Sequence, residues 1–147
     1  MRNSKQKYFI EIAQSVKKRS SCRRRQVGCV VVSDKNIILA TGYNGVPRNI
    51  SHCTDAGWAC PGYKVKSGTE LDSCYAIHAE QNALMHCKDI FEIGTIYCTT
   101  FPCMSCIKMI ANTSCRVIYY LDKYDDVSGN PLDFWDSKMN RQAYNLS

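Results

Sequence analysis

The sequence predicts an α/β fold. Three features carry that prediction: a β-branched run paired with a second apolar run across a short turn, two later helical patterns, and strand-like runs that alternate with those helices. Residues 5–19 place Phe9, Ile12, Ala13 and Val16 at helical spacing, and Ser20-Ser21 ends that segment. Residues 27–32, VGCVVV, form a strand. A turn at residues 33–36 leads into a second strand over 37–41, so the two read as a hairpin. Residues 42–47, GYNGVP, form a turn-rich loop. Residues 48–73 have no sustained period and read as a long irregular excursion, of the kind that is functional or held by a metal.

Order returns with a helix over 76–87, a third strand over 95–99, a helix over 102–112 opened by Pro102, and a fourth strand over 115–121. This alternation implies parallel pairing of the later strands. Residues 130–147 suggest a last helix and no clear strand. No internal repeat or low-complexity stretch occurs. The whole of 1–147 is expected to form one domain.

With 147 residues and 45% hydrophobic content, the chain can build a core, and wholesale disorder is excluded. No apolar run approaches the ~20 residues of a membrane helix. The basic amphipathic start lacks the continuous apolar stretch of a signal peptide, so a cytoplasmic location and no membrane partner are expected. The net charge of +6 alone allows a nucleic acid or a phosphorylated small molecule. Two zinc ions holding six thiolates would lower it to about +4, so the basic excess is modest.

The ten cysteines are more informative. Cys29, Cys98 and Cys115 lie in apolar strand-like runs, and Cys87 on an apolar helix side; these read as small buried hydrophobes. The others neighbour Gly, Pro, His and charged residues, and are candidate ligands. Cys103 and Cys106 are separated by three positions after Pro102, on one side of a helical first turn whose unpaired N–H groups favour thiolates. A lone CxxC serves as often as a structural knuckle or a redox pair. His78 adds a neutral imidazole, giving the Cys2His set that leaves a fourth zinc position for water. Glu80, two residues from His78, can take a proton from that water without occupying the metal. Together, His-x-Glu followed by Pro-Cys-x-x-Cys is the signature of zinc deaminases acting on nucleosides and nucleobases.

His78-Ala79-Glu80-Gln81-Asn82-Ala83, Pro102-Cys103-Met104-Ser105-Cys106 and the loop Gly42-Tyr43-Asn44-Gly45-Val46-Pro47 resemble the deoxycytidylate (dCMP) deaminase family, within the cytidine deaminase-like superfamily. The resemblance covers roughly residues 5–125. It implies a three-layer α/β/α fold around a mixed five-stranded sheet. The end of the chain departs from the family pattern, so the fifth strand is expected to be lost or displaced. The implied reaction is hydrolysis of dCMP to dUMP and ammonia, with Glu80 as proton shuttle and His78, Cys103 and Cys106 on the catalytic zinc.

Asn44 matches the family's nucleoside-holding asparagine, and its amide can both donate and accept; alternatively it serves only a left-handed turn beside Gly45. Tyr43 belongs either to the pocket or to the loop's own stability. For the phosphate, Arg23, Arg24, Arg25, Lys123 and Tyr124 lie near strand ends, and Arg25 and Tyr124 are the chosen pair. Cys22, Cys53, Cys60 and Cys74 remain. Three of them bound the long excursion, and family members with a second, structural zinc draw ligands from the places of Cys22, Cys53 and Cys74; Cys60 would be the fourth ligand and His52 its rival. The resemblance further implies a homo-oligomer, often a hexamer, activated by dCTP and inhibited by dTTP, with magnesium assisting the triphosphate.

Competing activities are deamination of free cytidine or deoxycytidine, of dCTP, or of adenosine in tRNA. The tRNA reaction calls for a larger basic surface than arginines clustered at one strand start. Outside catalysis, a zinc-stabilised nucleic-acid-binding module would have closed metal sites and no general acid, against the placement of Glu80. Nucleic acid is therefore the less expected partner.

Overall fold

A computed structural model describes residues 1–22, 24–52, 75–124 and 129–147. Helix α1 spans Lys5–Lys17, with the Ser4 hydroxyl accepting from the Lys7 amide at its start. Strands β1 (Gly28–Ser33) and β2 (Ile38–Tyr43) form the expected antiparallel hairpin, and Asn36 takes the left-handed conformation in its turn. Then follow α2 (Ala79–His86), β3 (Ile93–Thr100), α3 (Met104–Ala111) and β4 (Val117–Asp122). The sheet order is β2-β1-β3-β4-β5, with β5 at Gln142–Asn145.

The sheet is mixed, as expected: β1 pairs antiparallel with β3, while β3–β4 and β4–β5 are parallel. Strand alternation divides the core into two layers. Cys29, Val31, Ile96 and Cys98 face the side of α2 and α3, where they join Ala83, Ile107 and Ile110. Val30, Val32 and Tyr97 face α1 and pack on Phe9, Ile10 and Ala13. The result is the three-layer α/β/α arrangement. Cys29, Cys98 and Cys115 are fully buried, and Cys87 packs at the core's edge. No described helix is long and apolar enough to cross a membrane.

Two expectations need correction. The fifth strand is present, in parallel register with β4 (Ile118 opposite Ala143). Its four residues, QAYN, carry no β-branched run, so the sequence pattern does not announce it. What places it is the preceding turn. A short helix α4 (Pro131–Asp133) runs into a π-helical turn at Phe134–Lys138, and the fully buried Trp135 donates its indole N–H to the Gln142 carbonyl at 2.8 Å. Secondly, α2 begins at Ala79 rather than at residue 76. Ile77 is held extended by a two-bond bridge to Gly45, and His78 is left as the helix N-cap.

Gly42 positions α2. A Cβ there would overlap the Ala79 carbonyl and the Ala83 amide, so the helix backbone rests directly on β2. The Asn82 side chain donates to the Tyr43 carbonyl at 2.9 Å and fixes the same contact.

Candidate active site

Helices α2 and α3 bring their N-termini together beyond the end of β3. His78 caps α2, and its amide donates to the Gln81 side chain at 3.0 Å. Glu80 lies in the first turn, 5% exposed. Cys103 is the N-cap of α3, and Cys106 lies one turn further, fully buried. The His78 Nδ1 is 3.5 Å from the Cys103 Sγ and 3.2 Å from the Cys106 Sγ. Zinc bonds of ~2.3 Å to sulfur and ~2.05 Å to nitrogen at a tetrahedral angle give an N···S edge of about 3.5 Å. The three donors therefore fit a zinc ion without rearrangement. Among the described residues they are the one cluster of His, Cys, Asp and Glu with this convergence.

The electrostatics suit the same ion. The Cys103 thiol is drawn down to about 3, first by the hydrogen bond with Cys106 and then by those with His78 and Ser105, against its burial. Cys106 is pushed up by that same hydrogen bond and by burial. A bound dication would hold both sulfurs as thiolates and release their protons. Burial raises the Glu80 carboxyl above its ordinary range, opposed by His78.

Glu80 and His78 share a pocket with Asn44, Arg25 and Tyr124. Asn44 is 9% exposed and φ there is not positive, so the left-handed turn is not its role. Its Oδ1 accepts from the Val27 amide at 2.8 Å and its Nδ2 donates to the Arg25 carbonyl at 2.7 Å. One donor and one acceptor site of the amide are thereby committed to the chain, and the amide has one more of each. The Arg25 guanidinium carbon lies 4.9 Å from the Tyr124 ring centroid. Burial, and after it the charge of Glu80, pushes the Tyr124 hydroxyl above its usual range, so it remains a donor.

Tyr43 lies elsewhere. Strand alternation turns it away from Asn44, and it lines a separate cleft with Arg19, Arg48, His52 and His86. Cys22 is partly buried and lines the pocket of Glu80. His52 is hydrogen-bonded through Nδ1 to the Ser21 hydroxyl at 3.0 Å. Cys53, Cys60, Cys74 and Arg23 lie outside the described residues, and with them three of the four cysteines of the expected structural zinc shell. Sequence reasoning missed Thr99, which accepts from the Gly28 amide at 3.0 Å and joins the start of β1 to the end of β3, and it missed Asp122 and Thr100 around Arg25. Only register, which no local motif encodes, puts these residues beside the site.

A model described as the cytidine and deoxycytidylate deaminase zinc-binding region matches residues 3–122. The chain belongs to this deaminase family. Among curated relatives, the deoxycytidylate deaminase of Schizosaccharomyces pombe (strain 972 / ATCC 24843) is 39% identical over 122 residues, covering 80% of this chain and 37% of that protein. The deoxycytidylate deaminase of Mycobacterium phage D29 is 40% identical over 118 residues, 76% of this chain and 91% of the phage protein. The chain spans 37% and 39% of the length of the two yeast relatives it matches. Among solved structures, the dCMP deaminase of cyanophage S-TIM5 in complex with dCMP and dUMP superposes with a TM-score of 0.73 at 25% identity, over 99% of both chains. Its apo form gives 0.72 at 26% identity, over 99% of this deaminase chain and 100% of that one.

Proposed function

We propose that the protein is a zinc-dependent deaminase that hydrolyses dCMP to dUMP and ammonia. The observation that carries the reading is one pocket in which His78, a member of the metal-ligand triad, and the buried Glu80 carboxyl share space with an arginine and a tyrosine. The likeness to the cyanophage enzyme, solved with dCMP and dUMP, supports the same substrate.

His78, Cys103 and Cys106 would hold the ion. The chemistry it supplies is Lewis acidity, which makes water a nucleophile at neutral pH. Glu80 takes the proton of the attacking water and delivers it to N3 of the cytosine ring. It then takes the remaining proton of the C4 hydroxyl and passes it to the exocyclic amine, so that the C4–N bond breaks, ammonia leaves and C4 becomes a carbonyl. Burial of Glu80 keeps competing solvent away from the shuttle. Asn44 holds the Arg25–Val27 backbone and has amide capacity left for a sugar hydroxyl or a base edge. Arg25 and Tyr124 are the donors for the 5′-phosphate.

Cytosine is identical in dCMP, deoxycytidine and dCTP, so discrimination resides at the phosphate end. A buried donor left unmet costs about 1–3 kcal/mol, roughly 5- to 150-fold. Measured as kcat/KM under one condition, dCMP should lead deoxycytidine clearly. Arg25→Ala should cut the dCMP value about 10- to 100-fold and the deoxycytidine value far less. Comparable wild-type rates on dCMP and deoxycytidine would refute the phosphate reading, and a dominant rate on dCTP would move the enzyme to triphosphate chemistry.

A second, structural zinc on Cys22, Cys53, Cys60 and Cys74 belongs to the same proposal. It rests on the position of three of these cysteines at the bounds of the long excursion. Elemental analysis should give two zinc ions per chain in the wild type and one in Cys53→Ser, with a lower Tm. One zinc in the wild type would defeat it. The family resemblance extends the proposal to a cytoplasmic homo-oligomer, of hexamer type, responding to dCTP with magnesium and to dTTP. Sedimentation and rate measurements with and without these nucleotides test that extension.

A further inference from the structure

Strands β3 and β4 end side by side, and their parallel register sets Thr100 opposite Asp122. The Thr100 hydroxyl donates to the Asp122 Oδ1 at 2.8 Å. Arg25 Nη1 donates to that same Oδ1 at 3.1 Å and lies 3.4 Å from the Thr100 Oγ1. One edge of the guanidinium is thus fixed by a closed triangle, and one face lies against the Tyr124 ring. The backbone is pinned as well, because the Arg25 carbonyl accepts from Asn44.

This arrangement does little for stability. The Asp122 side chain is 64% exposed and that of Arg25 27%, and ion pairs with an exposed partner contribute little to folding. What the triangle does is restrict a side chain with large rotamer freedom before a ligand arrives. Ordering it in advance removes that cost from binding. A carboxylate beside an anion site also repels the anion, so the pair earns its place only if orientation outweighs repulsion.

We infer that Asp122, supported by Thr100, is a positioning residue that sets Arg25 for the substrate's 5′-monophosphate and so helps determine specificity. This rests on the dCMP reading above. Asp122 touches no reacting atom and acts through Arg25.

The test uses the full zinc-loaded chain as wild type, Asp122→Ala and Asp122→Asn. kcat, KM and Tm are measured with dCMP and deoxycytidine. Asp122→Ala should raise the KM for dCMP about tenfold, equivalent to ~1.4 kcal/mol. Its kcat should stay within about threefold, and the preference for dCMP over deoxycytidine should fall by about the same tenfold. Asp122→Asn keeps an acceptor for Arg25 and should recover most of the loss. An unchanged preference in the alanine variant overturns the inference, as does a lowered KM, which would mark Asp122 as repulsive only. Equal losses on both substrates with a lower Tm would assign it a merely structural role, and an asparagine variant as impaired as alanine would also count against positioning. Failure of the dCMP reading is seen separately, in a wild type without preference for the monophosphate; a strong wild-type preference retained in Asp122→Ala sinks the positioning role alone.

Discussion

Glu80→Gln should leave zinc bound and the fold intact while turnover falls by about 100-fold or more. The substitution keeps the size of the side chain and an acceptor oxygen, but glutamine cannot carry a proton between water and the leaving amine. A positioned general acid–base contributes typically ~10²–10⁴-fold, which sets the scale. Stability should not suffer. Glu80 is buried, and burial opposes its charged form, so a neutral amide removes a desolvation cost. The check is kcat measured beside zinc content and Tm on the same preparation. A variant with turnover close to wild type, zinc retained, would remove Glu80 from the proton path.

The second large effect is expected at Cys106. Its sulfur is fully buried, 3.2 Å from the His78 Nδ1, at the centre of the ligand triad. Cys106→Ser substitutes a short hydroxyl that does not ionise in this range and is a poor zinc ligand. Zinc content should fall by one ion per chain, and activity by on the order of 10³-fold or more. Added zinc should not rescue the variant. Wild-type protein stripped by a chelator should lose activity in parallel and regain it with zinc, which separates metal loss from misfolding. A serine variant that keeps both its zinc and its turnover would show that Cys106 is not a ligand.

The metal-ligand triad and Glu80 are legible because each motif is local. His78 and Glu80 share a helix start, Cys103 and Cys106 another, and the alternation of strand and helix says that both starts lie at one sheet edge. The central strands were legible for a related reason, since VGCVVV is buried on both faces and reads as a continuous apolar run. β5 was not legible. Its residues are pinned by Trp135 and by the open edge of β4, neither of which marks QAYN itself. Asn44 was recognised as important, yet its observed partners are the backbone at Arg25 and Val27, a long-range fact that the GYNG motif does not state. Tyr43 shows the converse. Adjacency in a motif suggested adjacency in space, and the pleat of β2 sends the two neighbours to opposite sides.

The pairing of β1 with β3 bears on how the protein assembles in time. β1 meets β2 across a four-residue connection, a local event for the chain, whereas Cys29 meets Cys98 across a separation of 69 positions. Closing that loop costs entropy before any contact repays it, so the hairpin can precede the central sheet but the central sheet cannot come early. The ends of β1 and β3 also bring Gly28 to Thr99 and Arg25 to Thr100. Arg25 meets Thr100 across 75 positions, so the arginine joins its partners only at that slow, non-local stage, whereas His78 and Cys103 are 25 positions apart.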